Sequence, residues 1–81
     1  MSIEQEVRLQ AQAALGESAA EALAVVGRVF AEIREEAYHE IEGEAPDMVL
    51  LRAKLLVMRS VEERLGAYVR SGQVALKELT K

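Results

Sequence analysis

Apolar residues recur along this chain at alternating steps of three and four, the spacing that gathers them on one face of an α-helix. The longest such run is Asp47–Gly72, where Leu51, Leu55, Met58, Val61, Leu65, Tyr68, Val69 and Gly72 form one broad face, widened by Leu50 and Val57. Arg52, Arg59, Glu63 and Arg70 fall on the other side. Pro46 and Asp47 mark the start, since proline fits a first helical turn and an aspartate oxygen can accept an otherwise unpaired N–H there. Gly72 reads as a stop or kink. At about 1.5 Å per residue the run is on the order of 36 Å long, a rod that needs a partner along its length.

A second run covers Ala19 to Ile41, with Leu23, Val26, Phe30, Ile33, Ala37 and Ile41 at helical spacing and Ala22 and Val29 broadening the face. Glu42-Gly43-Glu44-Ala45 interrupts it, and Pro46 reinforces the break because the residue before proline avoids helical angles. So short a connection between two long helices makes them antiparallel neighbours. Upstream, Ser2 can cap a first helix carrying Ile3, Val7, Ala11 and Ala14, with Glu4 and Glu6 near its positive end. Gly16 then reads as its close and Ser18 with Glu21 as a capping box for the next helix, against the competing reading of one helix running through Gly16. The pattern therefore predicts an all-α fold: helices over about 3–15, 19–41 and 47–71, with a short C-terminal turn at 73–79. Its centre is an antiparallel helical hairpin of the two long helices. The shorter N-terminal helix adds to it, and homo-oligomerisation completes a bundle.

Behind the main faces lie weaker strips. On the second run these are the small residues Ala20, Ala24, Gly27 and Ala31; on the third they are Val49, Ala53, Leu56, Ser60 and Ala67. A hairpin cannot cover both. The N-terminal helix is expected to take one and a second copy of the chain the other, which makes these nine residues the candidate interaction positions.

Composition sharpens this picture more than it alters it. Eighty-one residues make one small domain, and without cysteine it has neither disulfides nor thiolate metal sites to support its core. The acidic first residues do not resemble a secretory signal and no apolar run approaches the roughly 20 residues that span a bilayer, so a cytoplasmic protein without a membrane partner is expected. The net charge of −4 argues against nucleic acid as a partner. Its distribution is uneven: residues 1–31 carry −2, residues 32–47 carry −6 and residues 48–81 carry +4. Lys54, set into the third helix's apolar face near its start, can snorkel to solvent or pair with an acid such as Glu40 or Glu44 across the turn.

Candidate chemistry is sparse. Glu32, Glu35, Glu36 and His39 include the Glu-x-x-His spacing of di-iron bundles, but the wheel turns them outward, and the third helix offers only Glu62 and Glu63 as further carboxylates. One histidine, no cysteine and four scattered serines give no nucleophile with a base beside it, and no glycine-rich loop precedes a lysine. No catalytic residue, cofactor or metal ligand is assigned, and the protein reads as a non-enzyme. The arginines Arg52, Arg59, Arg64 and Arg70 read as a solvated face, since Phe30, Tyr38 and Tyr68 are the only aromatics and do not interleave with them for stacking on bases.

The stretch from Phe30 to Ala75 reads F-x-E-I-R-E-E-A, the acidic break with Pro46-Asp47, L-L-R-A-K-L-L-V-M-R-S-V-E-E-R-L, and the close at Ser71-Gly72-Gln73-Val74-Ala75. It resembles a group of small helical proteins of unassigned function encoded among the head and DNA-packaging genes of tailed bacteriophages. The resemblance implies a phage accessory or virion-assembly protein, in the host cytoplasm or on the virion, that touches a larger phage structural protein and has no catalytic residues to carry over. A small regulatory binder that masks a host or phage factor with its acidic segment, residues 32–47, is the alternative, and a metal-binding bundle a distant third.

Overall fold

The computed structural model describes all 81 residues and contains two helices, α1 at Ile3–Glu42 and α2 at Met48–Leu79, with no strand. Both start where the capping residues lie. The Ser2 hydroxyl accepts from the Gln5 amide at 3.1 Å, and an Asp47 carboxylate oxygen accepts from the Leu50 amide at 3.0 Å. Each replaces one of the hydrogen bonds that a helix start leaves unmade. Glu4 and Glu6 sit in the first turn of α1, beside its positive end.

Between the helices, Gly43 caps α1 in an extended conformation and its N–H returns to the Glu40 carbonyl. The reversal is made two residues later, where Ala45 adopts a φ of 50°, the only positive φ in the chain. An alanine there carries a Cβ penalty that glycine would not. Ala45→Gly should therefore raise stability by up to about 1 kcal/mol, after allowing for the extra freedom glycine gives the unfolded chain. Urea denaturation followed by circular dichroism would show it as a higher midpoint with an unchanged slope.

Two boundaries differ from those the sequence pattern predicts. α1 runs unbroken through Gly16, so the expected separate helices at 3–15 and 19–41 are one, and Ser18 is an exposed mid-helix residue instead of a cap. α2 likewise continues through Gly72 to Leu79 and absorbs the expected turn at 73–79. The physical reason is that the two glycines meet. A Cβ placed on Gly16 would stand 2.7 Å from the Gly72 Cα and 3.0 Å from the Tyr68 carbonyl oxygen. One placed on Gly72 would stand 3.2 Å from the Gln12 carbonyl oxygen. Glycine is the residue that lets two helix backbones approach this closely. The cost of about 1 kcal/mol for glycine inside a helix is set against that contact.

The Gly16–Gly72 contact also sets the register of the hairpin. Counting in sevens from it, along α1 in one direction and α2 in the other, Leu23 comes level with Leu65, Phe30 with Met58 and Ala37 with Leu51. All six of these residues are buried or half-buried, as are Val26, Ile33, Leu55 and Val69 between them. The repeat is that of an antiparallel coiled coil. One ion pair links the helices, Arg34 with Glu62. Side chains on a helix lean toward its N-terminus, so in an antiparallel pair these two reach toward the same level, near Phe30 and Met58.

The result is a rod. It measures 61 × 19 × 14 Å with a radius of gyration of 18.0 Å, where a compact chain of this length would have about 12 Å. Because α1 is continuous, its first turns cannot fold back over the hairpin as a third helix. Only seven residues are buried: Gly16, Ala19, Ala37, Leu51, Met58, Gly72 and Ala75.

Candidate interaction surface

A hairpin of two helices has two flanks, and the side chains beside the seam decide what each can do. One flank forms an open groove of about 560 Å³ lined by Ile33 and Glu36 of α1 and by Leu50, Ala53, Lys54, Val57 and Met58 of α2. Helical repeats extend this face along the rod. Val29 lies seven residues before Glu36 and Val25 four before Val29, so both sit on the α1 side of the same flank; Arg64, seven after Val57, sits on the α2 side. The aliphatic side chains here are open to solvent: Val25 is 66% exposed, Val57 62%, and Leu50 and Val29 nearly half. Isolated exposed aliphatics are ordinary on a protein surface, but a contiguous set rimmed by charge is the pattern of a contact surface.

The other flank differs in character. Its groove is lined by small and polar residues, among them Ala13, Ala20, Val69, Gln73 and Leu76. Arg34, fourteen residues after Ala20, belongs to this flank, where its bridge to Glu62 ties the helices together.

The expected interaction residues are divided by this geometry. Ala20, Ala24 and Ala31 are exposed and Gly27 half-exposed, and they lie along the second flank and its outer edge. Val49 and Leu56 are exposed on the back of α2, away from α1, with Val49 82% exposed, and Ser60 and Ala67, seven and fourteen residues after Ala53, are exposed along the outer edge of the first flank. Of the nine, only Ala53 lines the aliphatic groove. The structure therefore does not join the two strips into one surface. The residues that do form one, Val25 and Val29 with Leu50 and Val57, lie on the shoulders of the core faces. Their signal in the sequence is the Val25/Val29 step of four, matched by the Leu50/Val57 step of seven.

Polar groups follow the helices more than the seam. Besides Arg34–Glu62, the ion pairs are Arg59 with Glu63 at 3.0 Å, within α2, and Glu78 at the end of α2 with Lys81 beyond it at 2.9 Å. Lys54 lines the groove beside Glu36 and makes no ion pair with Glu40 or Glu44, so of its two expected roles the pairing across the turn is not made. Glu32, Glu35, Glu36 and His39 are exposed on α1, and no group of three or more histidine, cysteine, aspartate or glutamate residues is placed to hold a metal ion. Glu62, half-buried beside the seam, is engaged by Arg34. No helix is long and apolar enough to cross a membrane. Comparison with protein families, with characterised proteins and with solved structures finds no match for this chain.

Proposed function

We propose that the protein acts without catalysis, as a helical-hairpin assembly protein that associates with itself through the aliphatic flank. Following its resemblance to phage-encoded helical proteins, it then docks as that assembly onto a larger phage structural protein. The observation that carries the first part is the Val25–Val29–Leu50–Val57 surface on a hairpin with so little buried interior. An 8.9 kDa chain folded compactly would expose about 4,800 Å², whereas this rod exposes 6329 Å², an excess of about 1,500 Å². A standard association buries about 800 Å² per partner. The uncovered surface is thus large enough for a stable contact, and a two-helix unit of this size needs one to hold its fold.

Sedimentation velocity tests the proposal. At tens of micromolar the wild-type chain should sediment as a multiple of 8.9 kDa, and Val57→Asp should weaken association on the order of 100-fold by placing a charge in an apolar contact. Since Val57 is largely exposed on the single hairpin, the substitution removes no core contact. A wild-type chain that stays at 8.9 kDa at that concentration with its helix content intact would overturn the reading.

A further inference from the structure

We propose that the partner on the aliphatic flank is a second copy of this chain laid with its turn at the same end, α1 of each hairpin packed against α2 of the other, in a four-helix bundle closed by a Glu32–Arg64 ion pair between copies. The inference rests on the self-association proposed above and adds its geometry.

Charge complementarity decides the orientation. The acidic residues cluster on α1 toward the turn, and α2 carries most of the basic residues. Within one hairpin they scarcely neutralise each other, since Arg34–Glu62 is the only ion pair between helices and it lies on the far flank. Toward the turn, the unpaired charges of the aliphatic flank are Glu32 and Glu36 on α1, four residues apart on one edge, and Lys54 and Arg64 on α2; Glu4 and Arg8 hold the corresponding positions at the open end of the rod.

Two twofold arrangements bury this flank. A dyad across the rod sets α1 against α1 and α2 against α2 with heights reversed, which carries Glu32 and Glu36 to the opposite end from the second copy's turn and its Lys54, and brings the two Arg64 side chains together near mid-rod. A dyad along the rod sets α1 against the second copy's α2 at unchanged heights, which places acid opposite base. The facing arginines at mid-rod and the smaller number of acid–base contacts near the turn disfavour the first.

The stagger supports the second arrangement independently. Arg34 and Glu62 show how far apart along this rod an arginine and a glutamate on antiparallel helices can sit and still meet. Moving two residues down one helix and two up the other turns Arg34–Glu62 into Glu32–Arg64 with the same stagger. Within one chain Glu32 faces outward on α1 and cannot reach Arg64. Between copies related by a dyad along the rod, the pair falls at the stagger already used by Arg34 and Glu62, and the symmetry makes it twice.

The chain has no cysteine, so a single Glu44→Cys change in the exposed turn allows one nitroxide label per copy. Pulsed electron paramagnetic resonance on the full chain should give an inter-label distance within about 30 Å, the breadth of a four-helix bundle. A dyad across the rod would put the labels about 45–60 Å apart on a 61 Å molecule. Arg64→Glu should weaken the dimer about tenfold, since two pairs are lost and repulsion replaces them, and Glu32→Arg combined with it should restore affinity to within about threefold. A dimer with the long distance overturns the orientation and leaves self-association standing. A short distance with no rescue by the double change overturns the Glu32–Arg64 pair. A monomer, or an oligomer larger than a dimer, overturns this proposal, and only the monomer also removes the reading on which it rests.

Discussion

Gly72→Ala is expected to destabilise the protein by about 1–3 kcal/mol, although the same substitution on an exposed helix surface would stabilise it. Alanine removes the entropic cost of a mid-helix glycine, a gain of roughly 0.5–1 kcal/mol. Against this, the new Cβ would stand 2.7 Å from the Gly16 Cα, and what it meets is backbone that cannot rotate away. The helices must separate at the contact that sets their register, loosening Ala19 and Ala75 in the layers beside it. Gly16→Ala should behave alike, because its Cβ meets the Gly72 Cα and the Tyr68 carbonyl. Gly27 is the control. It lies in the same helix with nothing within 4 Å of its absent Cβ, so Gly27→Ala should raise stability by about 0.5–1 kcal/mol. Thermal unfolding of the three variants reads the contrast directly, and a stabilised Gly72→Ala would mean that the backbones do not touch.

The same glycines show where the amino-acid pattern is and is not sufficient. Glycine ends helices and also permits close helix contacts, and the letter alone does not distinguish the two. The deciding signal is position: Gly16 continues the series Leu23, Phe30, Ala37 in sevens, and Gly72 continues Leu51, Met58, Leu65. Glycine on a core stripe in heptad register packs against a partner, whereas Gly43, outside both series, belongs to the break. The hairpin, its turn and both N-caps were legible because each depends on local chemistry that Ser2, Asp47 and Pro46 carry. The interaction surface was less so. A helical wheel gives the angle of Ala24 or Leu56 around its own axis, but not which shoulder of α1 comes to lie beside which shoulder of α2. That follows from the handedness of the turn, and it brings Ile33 and Glu36 beside Val57 while Ala20 lines the opposite flank and Leu56 neither groove.

Leu51→Ala should cost about 2–4 kcal/mol and bring the hairpin close to unfolding. Leu51 is the most thoroughly buried large side chain, at 1% exposure, and it sits level with Ala37 where α2 begins. Ala37 opposite is already small and part of an extended helix, so little can collapse into the space left behind. The cost therefore includes a cavity as well as lost transfer energy. A chain with seven buried residues has few other contacts to absorb it, and total stability for small domains is only of the order of 5 kcal/mol. Circular dichroism at 222 nm should show a broad, early melt in place of a cooperative one. Leu56→Ala supplies the comparison because Leu56 is 53% exposed on the back of α2 and lines neither groove beside the seam. Its expected cost is within about 0.5 kcal/mol. If Leu56→Ala instead matched Leu51→Ala, a partner would have to cover the back of α2. The association would then run through the Val49–Leu56–Ala67 strip, away from the aliphatic groove.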